Sequence, residues 1–225
     1  MLLEWFAASA RDLPWRHTDD PYAILVSEVM LQQTQVDRVR PRYLAWLARW
    51  PTTQALATAS TADVIREWQG LGYNRRAVNL HRAAQIVARD GWPDDLTALP
   101  GVGPYTAAAV RCFALGEDVL PVDVNVERVQ RRTGGTFSAR SAQALMDLGA
   151  TVCLARIPRC AACLLANPAR KQGPFEGSFR QRRAAALRLV AEEPRPLDAL
   201  DDRAVRSLER DGLVVVEQGL VALPS

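Results

Sequence analysis

Apolar residues recur along most of the chain at the three- and four-residue spacing of an α-helix, and this pattern predicts a mainly helical protein. Residues 22–33 are apolar nearly all round, which is typical of a buried helix. Residues 75–89 place apolar side chains on one face and arginines on the other. The same spacing predicts three further helices, at 61–68 after Ser60 as a cap, 106–115 and 125–132. The body of the protein is therefore predicted to be all-α.

Strand patterns occur only near the end of the sequence. Residues 213–223 are mostly apolar and are interrupted by Gln218-Gly219, which predicts a hairpin with its turn at that dipeptide. Two helices predicted before this hairpin would complete a small α+β tail that resembles a miniature winged helix. The stretch GPFEGS, residues 173–178, is typical of a linker. The tail is therefore expected to cover residues 173–225.

Composition excludes a membrane span and leaves the binding partner open. The chain has 225 residues, of which 48% are hydrophobic and 24% charged, an ordinary globular balance. It has no run of about 18 uncharged apolar residues, and its first residues lack the order of a secretion signal. We therefore expect no membrane contact and a cytoplasmic location. The net charge of +3 permits a nucleic-acid partner, and a single lysine, Lys171, limits the chemistry available to amines.

The segment LPGVGPYT, residues 99–106, predicts a tight turn between two helices. Gly101 and Gly103 are expected to supply positive φ angles and bare backbone, and Pro104 suits the first turn of the following helix. Such a turn presents amide N–H groups at a helix N-terminus, where a phosphate oxygen can bind. Any tight joint between helices can use Pro and Gly, so the pattern alone does not decide the function.

The same segment resembles the helix-hairpin-helix motif of a DNA glycosylase superfamily, in which the hairpin holds the DNA backbone. Three other segments resemble the MutY family of adenine DNA glycosylases within it, with endonuclease III as the related family. These segments are 13–36 (which contains SEVMLQQTQ), 70–81 and 121–129. The resemblance covers about residues 13–163. Double-stranded DNA is therefore the expected partner, and a monomer is the expected state.

The resemblance also implies a fold with two lobes. One lobe would be a six-helix barrel that contains the hairpin, residues 22–122. The other would be a helical domain that carries a metal cluster, formed by residues 1–21 and 123–172. The small α+β tail would follow as a third part.

The resemblance implies catalytic functions for Glu28 and Asp123. Apolar neighbours would raise the pKa of Glu28 and keep it protonated near neutrality, so that it can protonate the departing base. Asp123 would stay ionised and stabilise the sugar cation, directly or through a covalent adduct. Tyr105 would hydrogen-bond Glu28, and Asn125 would orient Asp123 or a water molecule. Taken alone, Glu28 could belong to a structural ion pair, and Asp123 could simply cap a helix that begins at Val124.

Base removal of this kind requires the target base to leave the duplex. The resemblance implies that Gln32, Gln33 and Thr34 would probe or fill the gap. Tyr73 would wedge beside the opposite base, and Trp15 and Arg16 would line the adenine pocket. Trp15 and Tyr73 could instead be core aromatics, and glutamines often lie on solvated faces.

The cysteine spacing is similar to that of a metal-cluster loop in the same family. Cys153, Cys160 and Cys163 follow the pattern C-x6-C-x2-C, and the fourth cysteine of the family pattern would fall at Ala169. The resemblance implies a [4Fe–4S] cluster held by three cysteines, with the fourth ligand unidentified. A zinc site and an empty loop are the alternatives.

Taken with these residues, the resemblance implies a monofunctional glycosylase that removes adenine opposite 8-oxoguanine or guanine. Tyr105 stands where endonuclease III carries its attacking lysine, and no lysine precedes Lys171, so lyase activity through an imine is not expected. Two alternatives stay open: an endonuclease III-like or mismatch glycosylase that acts on a pyrimidine, and a non-catalytic DNA-binding module. The short segment 133–144 and the missing fourth cysteine favour the module; Glu28 with Asp123 favours an enzyme.

Overall fold

The computed structural model describes residues 1–166 and 176–224. Within them the regular secondary structure is helical apart from three short strands near the end, so the predicted all-α body with a small α+β tail is confirmed. Ala169, Lys171 and the first half of the expected linker lie outside the described residues. None of the described helices is long and apolar enough to cross a membrane.

The chain divides into two compact units, Met1–Ala166 and Asn167–Ser225. The described part of the first unit contains the helices α1 (Leu2–Ser9), α2 (Pro21–Leu31), α3 (Val36–Arg49), α4 (Thr53–Ala57), α5 (Thr61–Glu67), α6 (Arg75–Asp90), α7 (Pro104–Phe113), α8 (Val124–Thr133) and α9 (Ala142–Thr151). The division into a barrel of residues 22–122 and a second lobe stays a prediction.

The larger apolar core of the first unit surrounds α2. All nine residues of α2 from Tyr22 to Met30 are buried, as the uniformly apolar pattern predicts, and the helix packs against α3, α6 and α7. Asp20 caps its N-terminus by accepting a hydrogen bond from the backbone N–H of Tyr22. The helix ends at Leu31, before the predicted end, because the backbone of Gln32 leaves the helical region (φ −56°, ψ 111°).

A second apolar core joins α8 and α9 and includes partly buried residues of α1. Val126 and Val129 of α8 pack with Leu145 and Leu148 of α9. This pair of helices is important for the candidate site, because Asp123 caps α8 and α9 contributes three residues to the cavity described below.

The described part of the second unit is formed by α10 (Phe179–Glu192), α11 (Asp202–Arg210) and the strands β1 (Arg195–Pro196), β2 (Val215–Glu217) and β3 (Leu220–Ala222). The strands form an antiparallel sheet in the order β1-β3-β2. Gln218 and Gly219 both have positive φ angles, 51° and 80°, as the tight turn of a hairpin requires. The two helices and the hairpin predicted for the tail are therefore confirmed.

Candidate active site

The hairpin before α7 contains a tight turn that requires glycine at only one of its two glycine positions. The N–H of Val102 donates to the carbonyl of Leu99, and Gly101 has a φ of 79°. A Cβ atom at Gly101 would lie 2.9 Å from the Cβ of Asn79, so glycine also permits the close packing against α6. The positive φ predicted for Gly103 is wrong. Gly103 caps α7 with an extended backbone (φ −93°, ψ 177°), as residues that precede a helix usually do.

A cavity of about 800 Å³ lies in the first unit and is bordered by α2, α7, α8 and α9. The sequence-predicted residues that line it are Trp15, Arg16, Glu28, Gln32, Gln33, Thr34, Tyr105, Asp123 and Asn125. Tyr73, Gly101 and Gly103 do not line it. Predicted residues that lie between positions 15 and 125 of the sequence therefore meet around one cavity.

Glu28 lies on α2 at the wall of this cavity, and its side chain is almost completely removed from water. The residue is 8% exposed, and burial raises the pKa of its carboxyl from 4.5 to about 7. The hydroxyl of Tyr105 interacts with the carboxyl and lowers the pKa, whereas the charge of Asp123 raises it. Burial and the charges of Glu28 and Asp123 also raise the pKa of Tyr105, which keeps its hydroxyl as a donor. Glu28 can therefore carry a proton near neutrality.

Asp123 caps α8 and faces the same cavity. Its Oδ1 accepts hydrogen bonds from the backbone N–H groups of Asn125 (2.9 Å) and Val126 (2.7 Å), and its Oδ2 accepts one from Asn125 Nδ2 (2.9 Å). The cap that the sequence offered as an alternative to catalysis is thus present. It does not exclude the catalytic interpretation, because the same contacts fix the carboxylate at the cavity wall.

Two residues that were not predicted from the sequence, Gly149 and Arg128, contact Asn125. Gly149 of α9 lies so close that a Cβ atom there would be 2.5 Å from the Cβ of Asn125. Arg128 donates to Asn125 Oδ1 and, over 2.7 Å, to the carbonyl of Gly149. The sequence signal for this contact is the glycine in LMDLGA, residues 145–150, because every other residue of that stretch has a side chain. Because Gly149 has no side chain, α9 can approach α8 closely at Asn125.

Arg16 borders the cavity, but its guanidinium is bound to protein groups. It donates to Asp147 Oδ2 (2.8 Å) and Oδ1 (2.7 Å), and to the carbonyl of Arg11 (2.9 Å). The backbone N–H and the Nε of Arg11 also bind this carboxylate, at 3.0 and 2.6 Å. Trp15 packs edge-on against Tyr43, with 5.5 Å between ring centroids, so it contributes to both the core and the cavity wall. Asp147 was not predicted; it holds the segment that carries Trp15 and Arg16.

We expect Asp147→Asn to destabilise the protein. Burial alone would raise the pKa of Asp147, but the hydrogen bonds from Arg16 and Arg11 outweigh it and hold the pKa below its ordinary value. The amide would place an N–H donor against two guanidinium groups, and removing one partner of such a buried pair costs about 3 kcal/mol. Urea unfolding should show this loss at pH 7. The difference from the unmodified protein should shrink as the pH falls through the carboxyl range, because the lowered pKa stabilises the fold only above it.

A control is available in Asp12, an exposed carboxylate paired with His17 at 2.6 Å. Asp12→Asn should leave the free energy of unfolding nearly unchanged, as is usual for exposed pairs. Equal unfolding midpoints for the Asp147 and Asp12 variants would contradict the role given to Asp147.

The residues predicted to probe the DNA lie on two loops. Gln33 is exposed and Thr34 half-buried in the loop after α2, and Tyr73, with 68% of its surface exposed, lies in the loop before α6. Tyr73 is therefore not a core aromatic. Gln33 and Tyr73 share a left-handed backbone, with φ angles of 55° and 48°, which is uncommon for residues other than glycine and concentrates at functional sites.

The cysteine loop follows α9 and is held by two arginines of α8. Arg128 Nε donates to the carbonyl of Cys153 (2.7 Å), and Arg132 donates to the carbonyls of Leu154 (2.7 Å) and Ala155 (3.0 Å). Cys153 is buried, Cys160 exposed and Cys163 half-buried, and all three are free thiols.

Within residues 1–166 and 176–224, no three Cys, His, Asp or Glu side chains are arranged to hold a metal ion. Arg132 also lies 3.5 Å from the sulfur of Cys153. The described side chains therefore do not form a complete ligand set for a [4Fe–4S] cluster, which requires four ligands.

Comparison with known proteins agrees with this geometry. Residues 26–151 match the family model of the HhH-GPD superfamily base excision DNA repair proteins, where HhH denotes the helix-hairpin-helix. A thermostable thymine-DNA glycosylase superposes with a TM-score of 0.66 and 30% identity, over 73% of this chain and 89% of that one. An endonuclease III trapped as a covalent DNA intermediate superposes with a TM-score of 0.62 at 21% identity, over 73% and 88%, which shows the shared fold.

Similar sequences identify the family within this superfamily more closely. An adenine DNA glycosylase of Mycobacterium tuberculosis is 42% identical over 99% of this chain and 92% of its own length. The corresponding enzyme of Mycolicibacterium smegmatis is 40% identical over 95% and 91%, and that of Homo sapiens 38% identical over 72% and 37%. The alignment with the first spans 284 positions, so this relative carries segments without a counterpart among the 225 residues here.

The fold, the hairpin and the match to the family model define a DNA glycosylase of the HhH-GPD superfamily. Within that superfamily, the chain belongs to the adenine DNA glycosylase family.

Proposed function

We propose that the protein is a monofunctional DNA glycosylase that hydrolyses the N-glycosidic bond of adenine mispaired with 8-oxoguanine or guanine in double-stranded DNA. The observation that carries this proposal is the meeting of Glu28, Tyr105 and Asp123 around one cavity. Glu28 has a pKa raised to about 7 by burial, and Asp123 is a carboxylate fixed by three hydrogen bonds. Two carboxyl groups in unlike environments are suited to serve as an acid and an anion.

In this proposal Glu28 protonates the adenine as the bond between the base and C1′ of the sugar breaks, and the bonding electron pair leaves with the base. The Asp123 carboxylate stabilises the positive charge that develops on the sugar. A water molecule then adds to C1′ and gives its proton to Asp123. Asn125 orients the Asp123 carboxylate through the hydrogen bond from its Nδ2. Trp15 and Arg16 line the side of the cavity that receives the base.

The test is incubation with matched duplexes that carry adenine opposite 8-oxoguanine, adenine opposite guanine, thymine opposite guanine, or thymine glycol. The proposal expects free adenine from the first two duplexes, with strand breaks only after alkali. The 30% identity to a thymine-DNA glycosylase makes thymine opposite guanine the second candidate substrate. Binding without release of any base would instead favour the non-catalytic module.

We also expect that borohydride will not trap the unmodified protein on DNA. An imine needs an amine at the sugar, and the hydroxyl of Tyr105 lies beside Glu28 where endonuclease III would place its lysine. Tyr105→Lys should create a trapped adduct, because Asp123 and the hairpin are already in place. Gel electrophoresis after borohydride treatment separates the adduct from free DNA, with Tyr105→Phe as a control. Efficient trapping of the unmodified protein would contradict the monofunctional proposal.

For the cofactor, we propose a [4Fe–4S] cluster on Cys153, Cys160 and Cys163 with a fourth ligand other than cysteine, and zinc as the alternative. Iron, sulfide and zinc analysis of protein purified without oxygen measures the occupancy. Iron below about one equivalent per chain would rule out the cluster, which contains four irons.

The protein is proposed to act as a monomer in the cytoplasm. Its described cysteines are free thiols, which persist in reducing compartments. Sedimentation with and without a duplex tests whether one chain binds one DNA molecule.

A further inference from the structure

Arg76, near the start of α6, links the two loops that carry Gln33 and Tyr73. Its NH1 donates to three backbone carbonyls at the end of α2 and in the loop after it: Val29 (2.7 Å), Met30 (3.2 Å) and Gln32 (2.7 Å). Its NH2 donates to Thr34 Oγ1 (3.2 Å) and to the carbonyls of Leu71 (3.0 Å) and Gly72 (3.1 Å). One planar guanidinium therefore binds both loops: NH1 contacts only the end of α2 and the loop after it, and NH2 contacts both loops.

The contacts fall next to the two left-handed residues. The carbonyl of Gln32 belongs to the peptide that joins it to Gln33, and the carbonyl of Gly72 belongs to the peptide that joins it to Tyr73. A peptide plane fixed on one side restricts the backbone rotation of the residue that follows it. The guanidinium also lies 5.3 Å from the ring centroid of Trp68 and 5.7 Å from that of Tyr73. These contacts hold in place a backbone that a glutamine and a tyrosine rarely adopt.

We propose that Arg76 is a positioning residue that couples Gln33 and Tyr73, so that the two loops enter the duplex as one unit. Gln33 and Tyr73 touch the DNA in this proposal, whereas Arg76 acts only through them. This inference rests on the proposed function, because it assigns both loops to base extrusion. It adds that neither loop extrudes the base independently of the other.

Lysine cannot replace arginine in this arrangement. Its ammonium is a single nitrogen, whereas the guanidinium reaches the two loops with two terminal nitrogens held in one plane. Arg76→Lys keeps the positive charge near the end of α2, where it can still bind carbonyl groups, and removes the bridge. It therefore separates the coupling from a general contribution to stability.

The experiment measures base extrusion rather than base release. A fluorescent adenine analogue, whose emission rises when it leaves the base stack, is placed opposite 8-oxoguanine in a duplex. Gln33→Ala, Tyr73→Ala and the double variant are compared in the unmodified protein and in Arg76→Lys. Arg82→Lys, an exposed arginine of the same helix, serves as the matched control. Thermal unfolding of each variant shows that it is folded.

With Arg76 present, the fold-change in extrusion of the double alanine variant should differ by about threefold or more from the product of the two single fold-changes. In Arg76→Lys, the two single fold-changes should multiply to give the fold-change of the double variant. Extrusion by Arg76→Lys itself should be about 10-fold or more lower, because the loops are misplaced. Coupling that persists in Arg76→Lys, or an equal loss in Arg82→Lys, overturns the inference. Absence of extrusion by the unmodified protein also overturns it. Extrusion that depends on Arg76 without release of any base would contradict the proposed activity alone.

Discussion

Glu28→Gln should reduce the rate constant of adenine release by about 10²- to 10⁴-fold, because the amide cannot supply a proton to the departing base. In the unmodified protein, release should be fastest below pH 7 and should decline as the pH rises through about 7, where the Glu28 carboxyl loses its proton. Glu28→Gln should show neither this rate of adenine release nor its decline with rising pH. Single-turnover measurements between pH 5 and 9 on a duplex with adenine opposite 8-oxoguanine test both expectations.

The same substitution should make the protein more stable at high pH. The folded-state pKa of Glu28 lies above its ordinary value of 4.5, so the folded state binds the proton more tightly and stability falls as the pH rises from 4.5 to about 7. A shift from 4.5 to about 7 corresponds to about 3 kcal/mol at pH 9. Urea unfolding of Glu28→Gln should lack this loss. The candidate catalytic acid therefore destabilises the fold that buries it.

Glu67→Gln provides the matched control, because Glu67 is a partly exposed carboxylate paired with Arg49 at 3.1 Å. It should leave base release and the pH dependence of stability nearly unchanged. If Glu28→Gln released adenine at the rate of the unmodified protein, another group would have to supply the proton.

Features encoded by neighbouring residues were predictable from the sequence. The helical spacing, the cap at Ser60, the hairpin at Gln218-Gly219 and the buried position of Glu28 all follow from local patterns. Each depends on side chains within a few positions of one another, so the chemistry of a short segment decides it. The positive φ of Gly101 belongs to the same group.

Features that depend on the meeting of distant segments were not predictable. Asp147 binds Arg16 across 131 positions of sequence, and Arg76 binds the carbonyl of Val29 across 47. Nothing in the local pattern shows which buried acid faces which arginine. The close approach of Gly149 to Asn125 depends on the packing of α9 on α8. Resemblance to a family indicated the residues around the cavity, but not the residues that support them.

Asp123→Asn should reduce adenine release by about 10²- to 10³-fold and leave DNA binding within a few-fold of the unmodified protein. The substitution removes the negative charge beside the developing sugar cation, whereas it removes no contact to a phosphate. It retains the helix cap, because the oxygen of asparagine can accept the hydrogen bonds from the N–H groups of Asn125 and Val126. Single-turnover release and equilibrium binding of the same mismatched duplex measure the two effects separately.

The cap itself can be separated from catalysis with two further variants. Asp123→Ala removes both the charge and the cap, so it should lose base release and also about 1 kcal/mol of unfolding free energy. Asp201 caps α11 by accepting a hydrogen bond from the N–H of Ala204 at 2.8 Å, and Asp201→Asn should affect neither property. If Asp123→Asn released adenine normally and only Asp123→Ala were impaired, Asp123 would be a helix cap and the sugar cation would need another anion. Loss of release in both Asp123 variants, with loss of stability in the alanine variant alone, would show that the carboxylate acts on the substrate.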